Sequence, residues 1–121
     1  MIKDKSTFIR EILDKTKSKE IQFRKHPKLI KAFIWDYVLN DGTSISITVD
    51  KYEANFRSKM APCVNMYISG LKSNENIVRC LHSEGSFKQE YDMIDEIYKL
   101  CEEHVSSSAL KLENLELQLA S

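Results

Sequence analysis

From Phe87 to Leu119 the apolar side chains of this chain keep one phase. Phe87, Tyr91, Ile94, Tyr98, Cys101 and Val105 are spaced alternately 4 and 3 residues apart, and the same spacing continues through Ser108 to Leu112, Leu115 and Leu119. A stripe of that period lies along one side of an α-helix, and a strict heptad held over many turns is the pattern of coiled-coil packing. The last part has a second reading. Leu110 and Leu112 alternate with polar residues, as do Leu115, Leu117 and Leu119, which is a strand period. A strand, however, has no reason to stay in phase with the helix before it. Composition agrees with the helix: Ala, Leu, Lys, Glu and Gln fill the segment, and no β-branched residue follows Val105. Its start is marked by Ser86-Phe87-Lys88-Gln89, the spacing of a capping box. The spacing therefore predicts one helix over 86–120, weakened but not ended by Ser106, Ser107 and Ser108.

Such a helix is too long for what precedes it. It would extend about 50 Å, whereas a strand of six or seven residues spans only about 20–24 Å. Its C-terminal half must overhang any sheet it packs on. Leu110 and Leu117 sharpen the point, because they lie opposite the seam, where the earlier equivalents Gln89, Glu96 and Glu103 are polar. A helix apolar on two faces is buried on both. We therefore expect Leu110, Leu112, Leu115, Leu117 and Leu119 to form an interface between copies, most simply a two-fold homodimer. The alternative is a bend at Ser106–Ser108 that folds a short helix back onto the core.

The rest of the chain supplies that core. Residues 4–19 predict a first helix, with Phe8, Ile9, Ile12 and Leu13 in one stripe and Asp4 or Ser6 as its cap. The stretch EIQFRKH reads as a short strand or extended link. AFIWDYVL and TSISITVD are two alternating runs around Asn40-Asp41-Gly42, the signature of a β-hairpin in which the glycine takes positive φ. KYEANFRSKMAP, residues 51–62, reads as a loop or short helix closed by Pro62. CVNMYISGL and IVRCLH are two further strands around a turn at KSNEN. The expected fold is α+β over a single domain, 1–121: a basic N-terminal helix and link (1–30), a four-stranded antiparallel β-sheet (31–83), and a long acidic, leucine-rich C-terminal helix (86–120) packed on the sheet and overhanging it.

Charge is balanced but polarised. Lys and Arg total 18, and so do Asp and Glu. Residues 1–31 hold ten basic and four acidic side chains, residues 84–121 three basic and nine acidic. This asymmetry bears on association rather than fold. No apolar run is long enough to span a membrane, the first residues lack the apolar core of a secretion signal, and three widely spaced cysteines suit a reducing cytoplasm.

Chemical signatures are absent. His26, His82 and His104 with Cys63, Cys80 and Cys101 form no CxxC, HxxxH or HExxH motif, so small buried thiols and ordinary imidazoles are expected rather than a metal site. Only three glycines occur, in no phosphate-binding loop, and no nucleophile elbow is present. Asp92, Asp95, Glu96, Glu102 and Glu103 make an acidic helix face of the kind that is usually solvated. In topology alone, a β-meander followed by a long helix resembles single-strand-binding modules. Phe33, Trp35 and Tyr37 lie near Lys31, Arg57, Lys59 and Arg79 in that reading, although zero net charge opposes it.

The sequence thus predicts a small non-enzymatic protein–protein interaction module without cofactor or metal, a cytoplasmic homodimer joined through its C-terminal helix, with a further protein partner and no membrane partner. One alternative is a protein binding single-stranded nucleic acid or another polyanion through Lys15, Lys17, Lys19, Arg24, Lys25, Lys31 and Trp35. Another is a small-ligand binder with its pocket at the dimer seam.

Overall fold

The computed structural model describes the backbone of residues 4–56, 58–70, 75–83 and 85–120, and side chains within that set except at 56, 75–80, 82, 107–117 and 120. Seven elements follow in order: α1 (Lys5–Lys17), β1 (Arg24–Lys25), β2 (Ala32–Val38), β3 (Ser44–Phe56), β4 (Lys59–Ser69), β5 (Glu75–His82) and α2 (Lys88–Ala120). The strands form one antiparallel sheet in sequence order, β1 to β5. This is the expected α+β fold, with a two-residue edge strand added by the link.

Local chemistry accounts for the elements. Asp4 caps α1, its carboxylate accepting from the Thr7 amide at 3.2 Å and the Thr7 hydroxyl at 2.7 Å. The β2–β3 hairpin closes as expected. The Leu39 amide donates to the Thr43 carbonyl, the Gly42 amide donates to the Leu39 carbonyl, and Gly42 takes φ +88°. A turn followed by a left-handed glycine suits a three-residue hairpin loop. At the start of α2, the Phe87 carbonyl accepts from the Tyr91 amide, so Phe87 opens the helix, one residue later than the Ser86 cap expected from sequence.

One segment differs from its sequence reading. Residues 51–56 and 59–62, expected in a loop or short helix, are strand. They are the paired ends of β3 and β4, in register from Lys51↔Val64 to Phe56↔Lys59. Pro62 sits within β4 without breaking this pairing. Its carbonyl accepts from the Ser83 amide on the β5 side. A strand residue's N and O point to the same edge, so the donor that proline lacks faces β5, not β3. The ladder with β5 ends at Cys63↔His82, next to the proline.

The helices lie on one face of the sheet. Core side chains come from α1 (Ile9, Ile12, Leu13), the link (Ile21, Phe23), β2 (Phe33), β3 (Ile47, Val49), β4 (Val64, Met66, Ile68) and α2 (Tyr91, Met93, Ile94, Ile97, Tyr98, Cys101). The seam positions Tyr91, Ile94, Tyr98 and Cys101 are buried against the sheet. Each such side chain contributes roughly 1.5–3 kcal/mol. The Phe33 and Tyr98 rings meet edge to face at 5.2 Å. The opposite face carries no helix among the described residues. Its floor is made of small side chains, Ala32, Thr48, Ala61 and Cys63, all buried among their neighbours.

Candidate interaction surfaces

Three surfaces follow from this frame: the far half of α2, the basic residues of the first segment, and the helix-free face of the sheet. On α2, Asp95 meets Lys51 of β3 at 2.8 Å, and Tyr98, within one turn, packs on Phe33 of β2. The axis therefore runs across the sheet towards the β1 edge. Along the seam Phe87 is exposed at the start of the helix, Tyr91, Ile94, Tyr98 and Cys101 are buried, and Val105 is half-buried. The helix itself continues without a break to Ala120, so the serines at 106–108 do not bend it into two elements. Leu119, near its end, is 79% exposed. Leu110, Leu112, Leu115 and Leu117 lie on this helix, with side chains outside the described residues.

The basic candidates do not gather on one surface. On α1, Lys15 pairs with Glu11 at 3.5 Å, and Lys17 reaches Glu96 of α2 at 3.2 Å. Lys19 follows α1 in a left-handed turn, φ +66°. Arg24 and Lys25 are adjacent strand residues, so they point to opposite faces. Arg24 pairs with Asp36 at 2.7 Å on the helix-free face, and the Lys25 ammonium lies 5.9 Å from the centre of the Phe33 ring on the other. Lys31 is exposed in the loop before β2. Trp35 lies on the helix side, half-buried, with its ring 5.2 Å from that of Tyr37. The predicted acidic face of α2 is partly neutralised in the same way. Asp92 pairs with Lys88, Asp95 with Lys51 and Lys99, and Glu96 with Lys17, while the Ser6 hydroxyl donates to Glu90. The two oppositely charged ends of the sequence thus meet, in part, within one chain.

The helix-free face holds a polar arrangement that the sequence reading missed. The Asp36 carboxylate accepts from the Ser46 hydroxyl at 2.6 Å and from Arg24, and these bonds hold its carboxyl below the usual range. Two rows away, Asp50 of β3 stands directly opposite Asn65 of β4, and each carries a buried Oδ1 with no hydrogen-bond partner. Burial pushes the Asp50 carboxyl above its ordinary value, and the nearby His26 acts against that shift. The signal that would have found the pair was the β3–β4 register, hidden when residues 51–62 were read as a loop.

Cys63 and Cys101 are buried, and burial raises the Cys101 thiol to about 12, which keeps it protonated at neutral pH. Among the described residues no group of three metal-ligating side chains comes together. No helix in the described residues is long and apolar enough to cross a membrane. No protein-family model, curated protein or solved structure matches the chain.

Proposed function

We propose that this chain is a non-enzymatic interaction module that self-associates through the C-terminal half of α2, as a homodimer in the reducing cytoplasm. The observation that carries the reading is the exit of an unbroken helix from the sheet while its heptad continues. Within the chain the seam is covered from Tyr91 to Cys101, and Leu119, in the same phase, stands in water. A second copy offers the identical stripe, which is what a two-fold coiled-coil contact requires. The basic candidates support a polyanion surface less well, since Lys15, Lys17 and Arg24 are already paired and Arg24 and Lys25 face opposite ways.

Light scattering tests the proposal on three forms: the full chain, a truncation after Ser106, and Leu112→Asp/Leu119→Asp. The full chain should have twice the monomer mass, and both variants should be folded monomers by circular dichroism. A full chain that stays monomeric at high concentration removes the reading. So does a double variant that still dimerises.

A further inference from the structure

The loop between β1 and β2 runs His26-Pro27-Lys28-Leu29-Ile30-Lys31 and holds two aliphatic side chains out in water. Ile30 is 86% exposed and Leu29 is 42% exposed. Isolated exposed apolar residues are ordinary on a protein surface, but here the support is unusual. The His26 amide donates to the Ala32 carbonyl at 3.0 Å, and the Lys51 amide donates to the Lys31 carbonyl at 3.1 Å, so the loop is tied to the sheet at both ends. Inside it, His26 Nδ1 accepts from the amides of Lys28 and Leu29 at 3.1 and 3.0 Å. Pro27 fixes one φ, and Lys31 adopts φ +55°. The fold presents Leu29 and Ile30 at a fixed place instead of letting them collapse onto the core.

Within the loop itself the charges are all of one sign, and the nearest carboxylate across the sheet, Asp50 opposite Ala32, is half-buried at the loop's base beside His26. No acidic residue occurs between Glu20 and Asp36. Lys28 and Lys31 flank the aliphatic pair and are exposed, and neither joins an ion pair among the described residues. Lysines elsewhere are often paired, as Lys15, Lys17, Lys51, Lys88 and Lys99 are.

We propose that this tip docks on an anionic lipid surface, with Leu29 and Ile30 entering the boundary between headgroups and acyl chains and Lys28 and Lys31 meeting the lipid anions. The tip demands hydrocarbon and negative charge within a few ångströms of each other. A nucleic-acid backbone supplies the charge without the hydrocarbon. A lipid surface supplies both in successive layers and accepts a protruding side chain without a pre-shaped pocket. Adsorption of this kind needs no spanning helix. Because the loop is braced, little ordering entropy is lost on docking. The inference goes beyond self-association and is read by a separate measurement, vesicle binding rather than mass.

Vesicle sedimentation with the full chain tests it, using vesicles of phosphatidylcholine alone and of phosphatidylcholine with phosphatidylserine. The chain should bind the phosphatidylserine vesicles at low salt and bind the neutral ones far more weakly. Lys28→Gln/Lys31→Gln should weaken binding about 25-fold, roughly fivefold per lysine. Leu29→Ser/Ile30→Ser should weaken it at least tenfold. All four positions are exposed or project from a loop, and circular dichroism confirms that each variant is folded. A wild-type chain that ignores phosphatidylserine vesicles overturns the proposal. So does binding that is unchanged by Leu29→Ser/Ile30→Ser, or binding of a single-stranded oligonucleotide that matches the vesicles and survives that substitution, since both outcomes would mean a polyanion contact without insertion. Vesicle binding by a chain that scatters as a monomer upholds this inference while removing the dimer.

Discussion

Replacing Asp50 with Asn removes a charge from the middle of the helix-free sheet face and supplies a donor where two acceptors now meet. Asp50 and Asn65 are paired directly across β3 and β4, and the buried Oδ1 of each has no partner. Side chains opposite one another on antiparallel strands have Cβ atoms only about 5 Å apart, so an amide at position 50 is placed to donate to Asn65. An unsatisfied buried polar group costs about 1–3 kcal/mol. Asp50 is partly exposed, and solvent screening puts its cost at the low end, so Asp50→Asn should stabilise the protein at neutral pH by about 1 kcal/mol. In a chain of this length that raises the melting temperature by about 4 °C.

The pH dependence gives the sharper readout. Burial raises the folded-state pKa of Asp50 above its ordinary 3.8. A raised pKa means that the folded state binds the proton more tightly than the unfolded chain does. The stability associated with Asp50 is then fully present below the unfolded value and is lost as pH rises through the folded one. A protonated Asp50 can also donate to Asn65 Oδ1, as the amide of the variant does. The advantage of Asp50→Asn should therefore be full at neutral pH and vanish as pH falls towards 3.8. Urea denaturation of both proteins from neutral to acid pH measures it. A gap that does not change with pH, or a variant less stable than wild type at neutral pH, would refute the reasoning. Asn65→Asp is the converse test. It sets a second carboxylate opposite Asp50 and should destabilise the protein at neutral pH, with recovery on acidification.

Three further outcomes are expected. Asp95 feels burial, which pushes its carboxyl up, but hydrogen bonds from Lys51 and Lys99 outweigh this and hold it below the ordinary value. Asp95→Asn should therefore cost about 2 kcal/mol at neutral pH, a loss that disappears as pH falls below 3.8 through the folded value, read by the same denaturation series. Gly70 has φ +97°, and an added Cβ would lie 2.5 Å from the Ser44 carbonyl oxygen, so Gly70→Ala should cost about 3 kcal/mol or more in melting experiments. Gly42 has φ +88° with nothing near that position, so Gly42→Ala should cost only about 1 kcal/mol, and equal losses at the two glycines would contradict the steric account.

The elements that were legible from sequence are those whose signal is periodic or local. The heptad placed α2, alternation around Asn40-Asp41-Gly42 placed the first hairpin, and the stripe Phe8, Ile9, Ile12 and Leu13 placed α1. The far end of the β3–β4 hairpin was not legible, for two physical reasons. Its helix-side residues Lys51 and Glu53 lie beyond the apolar core, so the alternation that marks Ile45, Ile47 and Val49 stops there. Pro62 reads as a terminator because proline breaks ladders, yet its effect depends on which edge its nitrogen faces, and that is decided by a register no single strand contains.

The same dependence on register explains why residues of one type did not become one site. Lys15, Lys17, Lys19, Arg24, Lys25 and Lys31 are close together in the chain and look like a patch. Strand alternation sends Arg24 and Lys25 to opposite faces, where one finds Asp36 and the other the Phe33 ring. Folding of α1 beside α2 gives Lys17 to Glu96. Within the β1–β2 loop Lys28 and Lys31 are exposed and in no ion pair among the described residues, and between them stand the two aliphatic residues that a charge count passes over. Charge density along a sequence overstates a surface whenever the fold supplies partners, and it understates one where the fold withholds them. The two most exposed large apolar side chains among the described residues are Ile30 on a braced loop and Leu119 on a helix that has left its sheet. The two are read by different measurements, vesicle sedimentation for the loop and light scattering for the helix.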